Sequence, residues 1–272
     1  MLILYRNKNK KLLLFCMIGY FQSCISGEMK AKSSSDSLIT QPLEYMERIP
    51  KGAQILMDVY PDQIKGYSNG MLLIINGDKI QYDDKKEKGI IEMLDNSDIE
   101  DMFCMQYNMN GTPEYLSDAG RSRCEQLFKA MYGRCESEAR KRLVQVEWFG
   151  KSIPFTSVNG AADSLRIVAH RLKQMPQYSK YLTNASTFYW RKVRGANRQS
   201  AHSYGIAIDV NTQYSNYWLW EYKGAKETDR IGYTNRIPEE IVRVFEEHGF
   251  IWGGRWYHFD TMHFEFRPEL LR

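Results

Sequence analysis

The hydrophobic pattern changes character along the chain, and each change marks an element. A basic stretch at the N-terminus is followed by an apolar run over residues 12–21. That order is the order of a secretory signal, and the run is short for a bilayer-spanning helix. Residues 30–37 (KAKSSSDS) are polar and serine-rich, as a tether would be. Residues 70–76 (GMLLIIN), followed by Gly77 and Asp78, predict a strand and turn. The charge run over 83–88 (DDKKEK) predicts a solvated loop or helix face. Residues 122–132 predict a helix, and the alternation over 143–149 (LVQVEWF) predicts a strand. Residues 159–175 predict an amphipathic helix with Ala162, Leu165, Ile167, Val168 and Leu172 on its apolar face and Pro176 beyond its end. Strands are predicted over 187–193, 202–210 and 257–266. A helix is predicted over 238–248, with Pro238 in its first turn and Gly249 as its stop.

The expected organisation is a signal peptide over 1–24, a tether over 25–37, an N-terminal extension over 38–100 with no assigned role, and a principal domain over 101–272. The order helix, strand, strand, helix, strand makes that domain α+β, with flanking helices on a small, mainly antiparallel sheet.

Composition adds exclusions. With 43% hydrophobic and 26% charged residues in 272, a normal core forms without a disulfide framework. The net charge is +4, and Arg6, Lys8, Lys10 and Lys11 supply all of it. The slight basicity therefore belongs to the targeting segment. No basic stripe suits nucleic acid, and none is expected as a partner. Cys104, Cys124 and Cys135 have no metal-binding spacing and receive no catalytic role. Outside the cytoplasm their odd number leaves at least one free thiol, and a pairing of Cys104 with either of the others stays open. Cys24, just after the apolar run, resembles the lipidation site of a bacterial lipoprotein. The expected location is extracytoplasmic, periplasmic or at the cell envelope, with a membrane link only through a lipid at Cys24.

Two stretches carry chemistry. In residues 200–210 (SAHSYGIAIDV) Ile206, Ile208 and Val210 alternate with Ala207 and Asp209. An acid within such an apolar strand is costly unless its charge is compensated. His202 lies seven residues earlier, across Gly205, which permits a sharp bend. A histidine and a carboxylate so placed suit a borderline metal such as zinc. In residues 256–266 (WYHFDTMHFEF), His263 and Glu265 share one strand face, and Asp260 precedes His263 by three residues. His202, Asp209 and His263 supply the three ligands of a catalytic zinc, leaving Asp260 as general base. On spacing alone each stretch is a weak signal, and a buried salt bridge or a hydrogen-bonded core histidine is the preferred reading.

SAHSYGIAID and DTMHFEF together resemble the zinc D-alanyl-D-alanine carboxypeptidase family. That family includes vancomycin-resistance carboxypeptidases and L-alanyl-D-glutamate endopeptidases, and it shares a fold with the Hedgehog signalling domain. The resemblance extends over roughly residues 100–272. It implies zinc on His202, Asp209 and His263, with Asp260 as base. It also implies a peptidoglycan stem peptide as substrate. An aspartate base leans toward the endopeptidase-like branch. The family's substrate-facing arginine maps to Arg191, with Arg194 and Arg198 as rivals. Ser200, His258 and Glu265 are expected to support the ligands or touch substrate, with packing among aromatic rings the alternative for His258. The competing reading is a non-catalytic zinc-binding surface protein of the same fold.

Overall fold

A computed structural model of the protein describes residues 48–272. The expected signal peptide, the tether and Cys24 lie outside the described residues.

The predicted α+β architecture is present. Its elements divide among three small antiparallel sheets with helices packed on them. Strands β1 (Ile64–Ser68), β2 (Met71–Ile74) and β3 (Lys79–Gln81) form a meander in that order. β4 (Leu143–Trp148) and β5 (Lys151–Thr156) form a hairpin. The third sheet holds β6 (Ala207–Asp209), β7 (Phe250–Trp252) and β8 (His263–Phe266), with β8 in the centre. One hydrophobic core unites them: Leu56, Leu72 and Ile80 belong to the same buried cluster as Leu127, Val146, Phe245 and Phe264.

The Ala161–Lys173 helix buries Ala162, Leu165, Val168, Ala169 and Leu172, which recur at helical spacing. Ile167, expected on that face, is 48% exposed. It lies two positions after Leu165, about 200° around the helix, and so points away from the core. The Glu239–Glu246 helix starts after Pro238, which occupies the cap position, and buries Ile241, Val242, Val244 and Phe245. Phe245 stacks on Phe264 of β8 at 3.9 Å between ring centroids. This aromatic contact fixes the apolar underside of the third sheet.

Three expectations need correction. Residues 187–193 are not a strand. Their backbone groups bond to side chains of the segment that follows: His202 Nδ1 donates to Thr187 O, and Arg191 N donates to Ser203 Oγ. Within residues 187–193 only an isolated bridge is left, Lys192 with Gln199. The strand predicted over 202–210 shrinks to Ala207–Asp209, because residues Ala201–Tyr204 coil into a 3₁₀ turn. Gly205 ends that turn at φ +68°, where a Cβ would lie 2.6 Å from the Leu143 side chain. Only a glycine fits that bend without strain. The strand predicted over 257–266 begins only at His263, since His263 N donates to Asp260 O at 3.1 Å and closes a turn before it.

The charge run also departs from expectation. Lys88 is turned inward, its side chain 2% exposed, against Asp84 (3.2 Å), Asp98 (3.1 Å) and Asp101 (2.6 Å). One ammonium thus gathers three carboxylates from both sides of the short Ile90–Asp95 helix. Cys104, Cys124 and Cys135 are all free thiols. Among the described residues, no helix is long and apolar enough to cross a membrane.

Removing one partner from a buried ionic cluster leaves the others uncompensated. Lys88→Met is therefore expected to lower stability by about 3 kcal/mol, measured as a lower urea midpoint at unchanged slope. An unchanged midpoint would show that the cluster is not stabilising.

Candidate metal centre

Register brings the key side chains together. In the β6–β8 pair, Asp209 lies directly opposite His263, and Ala207 lies opposite Glu265. The small Ala207 leaves room for the glutamate, while Ile208 and Phe264 face the core. His202 arrives from the 3₁₀ turn, with its ring 5.1 Å from that of His263. The nearest atoms converge on one carboxylate oxygen. Asp209 Oδ1 lies 3.2 Å from His202 Nε2 and 3.0 Å from His263 Nδ1.

The far side of each ring sets what the near side offers. His202 Nδ1 donates to Thr187 O at 2.5 Å, so its neutral tautomer presents a bare Nε2 to Asp209. His263 Nε2 faces Glu265 Oε2 at 3.4 Å, so its Nδ1 is the nitrogen free for the centre. An imidazole backed by a carboxylate or a carbonyl is the usual support for a metal ligand. Glu265 is itself completely buried and held by Arg123 and Arg267, each at 3.1 Å.

Four groups of acidic, histidine or cysteine side chains are compact enough to hold an ion among the described residues. Three of them already contain a cation. Lys88 lies against Asp84 and Asp98 of one and Asp101 of another. Arg121 lies against Asp118 and Glu227 of the third, which includes His258. The fourth, His202, Asp209 and His263, has only its own imidazoles. Two nitrogen donors and one carboxylate are the ligand types and number of a catalytic zinc site, and these residues fit that ion.

The electrostatics carry the same demand for positive charge. Burial opposes ionisation of Asp209, yet the two imidazoles outweigh it and hold its carboxyl far below the usual range. Burial disfavours charge on His263, but its bonds to Asp209 and Glu265 reverse the effect and raise it to about 10. Asp260 moves the other way. Burial, and then the charge of Asp209, push it up to about 7. Its Oδ1 is buried with no hydrogen-bond partner.

Asp260, Ser200, Arg191, Arg194 and His258 line, with the three donors, a cleft of about 360 Å³. Tyr217, Trp218, Trp220 and Trp256 give it aromatic walls, and Trp220 is 50% exposed. Arg191 and Arg194 are exposed, and no carboxylate pairs with either among the described residues.

Residues 194–266 match the model of a D-alanyl-D-alanine carboxypeptidase family. The match supports a peptidase, and it contains His202, Asp209, Asp260, His263 and Glu265. No curated protein and no solved structure matches the chain. Outside the carboxypeptidase-like segment lie several groups that complete the site: Arg123 behind Glu265, Arg121 at the cleft wall, and Asp118, which accepts from Arg121. His258 is fixed there, with Nδ1 on Asp118 at 2.5 Å and Nε2 on the Glu227 carbonyl at 3.0 Å. Both nitrogens are committed, so His258 braces the wall. Ser200 lines the cleft, whereas the group that orients His202 is the Thr187 carbonyl. Sequence reasoning missed the Thr187 carbonyl, Arg121, Arg123 and Asp118. Backbone carbonyls carry no residue signature, and the run GRSR is an ordinary basic loop until its partners are known.

Glu265→Gln removes the charge behind His263. It is expected to weaken zinc affinity about 10–100-fold, measured by competition with a chelating dye. Affinity equal to wild type would show that Glu265 supports only packing.

Proposed function

We propose that this protein is a zinc-dependent peptidase that hydrolyses peptidoglycan stem peptides outside the cytoplasmic membrane. The observation that carries this reading is that, among the described residues, one compact donor group has no built-in cation and lies in the carboxypeptidase-like segment beside Asp260, whose Oδ1 is buried without a hydrogen-bond partner. A zinc ion held by His202, Asp209 and His263 supplies Lewis acidity, which polarises a carbonyl and acidifies water.

The chain's own groups do the remainder. Asp260 takes a proton from the attacking water and returns it to the leaving amine. Burial raises its carboxyl, the direction that suits a group that must both take up and return a proton. Arg191 and Arg194, which pair with no carboxylate among the described residues, offer guanidinium groups to a peptide carboxylate or a developing oxyanion. The aromatic walls of the cleft suit amphipathic peptide and sugar faces. The secretory pattern over 1–24 and the cysteine at its end favour the cell envelope, with a lipid at Cys24 as anchor.

Purified zinc-loaded protein incubated with peptidoglycan is expected to release fragments identifiable by mass spectrometry, and a chelator should stop the release. Loss of a single terminal alanine would assign a carboxypeptidase, and a cut within the stem an endopeptidase. Asp260→Ala should lower kcat by at least about 10²-fold while zinc stays bound. A zinc-bound wild type that cuts nothing would favour the non-catalytic alternative. Arg191→Ala should raise KM roughly tenfold, since a hydrogen bond to a charged group contributes about 1.5–3 kcal/mol. An unchanged KM would remove Arg191 from substrate binding.

A further inference from the structure

One wall of the cleft is the loop formed by residues 191–200, which folds back on itself. Ser200 N donates to Arg191 O at 3.0 Å, Val193 N donates to Arg198 O at 2.9 Å, and Lys192 bridges to Gln199. Arg191 and Arg194 lie on the outgoing arm and Arg198 on the returning one, and all three line the cleft. The loop leads directly into His202.

The three arginines are not equivalent. Arg191 and Arg194 are exposed, whereas the Arg198 side chain is only 12% exposed and its Nε is buried without a partner. Arg198 Nη1 instead donates to Asp95 Oδ1 at 2.5 Å. A nearly buried guanidinium needs an anion, and Asp95 is the carboxylate that meets it. Asp95 is the last residue of the Ile90–Asp95 helix, 103 positions earlier and outside the carboxypeptidase-like segment. Lys88 fixes the chain on both sides of that helix through Asp84, Asp98 and Asp101. Four like charges on one short loop, Arg191, Lys192, Arg194 and Arg198, repel one another, and the Asp95 contact opposes that repulsion from a rigid base.

We infer that Asp95 is a positioning residue for substrate binding. Through Arg198 and the backbone ladder, it holds the 191–200 loop so that Arg191 and Arg194 face a carboxylate of the bound peptide. This inference rests on the peptidase reading above.

Steady-state kinetics of the full-length protein on a stem peptide and on its fully amidated form test it, with tryptic cutting after Arg191, Arg194 and Arg198 followed in parallel. Asp95→Ala should raise KM for the carboxylate peptide roughly tenfold or more, because displacements near 1 Å cost that much or more. It should leave kcat and the amide's KM little changed and should accelerate cutting in the loop. Asp95→Glu should restore most of the affinity. An unchanged KM, an equal loss on both peptides, or unaltered tryptic cutting would overturn the inference. If wild type cleaves neither peptide, the peptidase reading fails. Tryptic cutting then decides the role of Asp95, and a loop no looser in Asp95→Ala rejects it.

Discussion

Glu265 has no access to water, and the geometry around it follows from that constraint. A carboxylate without solvent must be compensated, and this one is met by His263 on one side and by Arg123 and Arg267 on the other. Burial opposes its ionisation, but Arg123, the bond to His263 and Arg267 overcome that and hold it down at about 2. Arg267, equally buried, is met in turn by Glu269 at 2.5 Å, and Glu269 accepts from the Tyr60 hydroxyl. The row of charges runs from the His263 face of β8 to the Lys51–Val59 helix, which Tyr60 follows. A ring nitrogen of His263 is thereby oriented in part by Arg267, Glu269 and Tyr60, which do not line the cleft.

The same reasoning shows why residues 48–103 belong to the description of the site. They supply Tyr60 to the buried row and Asp95 to the cleft loop, and their apolar side chains join the common core. Lys88 gives this segment its rigidity by drawing three acids around one ammonium. The donor atoms come from the carboxypeptidase-like segment, while much of the structure that orients them comes from the chain before it.

The donor residues were legible in the sequence because their chemistry is conspicuous. An aspartate in an apolar strand, a histidine across a glycine bend and an acid three residues before a second histidine all stand against their surroundings. The long helices were equally clear, since Leu165, Val168 and Leu172 repeat at helical spacing. The failures share one cause. Residues 187–193 read as a strand from their aromatics, yet their backbone partners include the ring of His202, the hydroxyl of Ser203 and the returning arm of their own loop. Lys88 read as solvated because the acids that enclose it are not all its neighbours in sequence. Arg123 and Asp118 gave no signal because their partners Glu265 and His258 lie about 140 residues away. Local pattern cannot show a contact whose other half is so distant.

Asp209 and His263 face each other from paired strands 54 residues apart in sequence. Strand register has a period of two, so a slip of one residue would turn His263 into the core and put Phe264 among the donors. All three donors meet in one alignment of β6 on β8. During synthesis, a chain that has not yet reached residue 263 holds at most two of the three donors. An ion bound there, as proposed, would lock a sheet already aligned and would not template the chain's early folding.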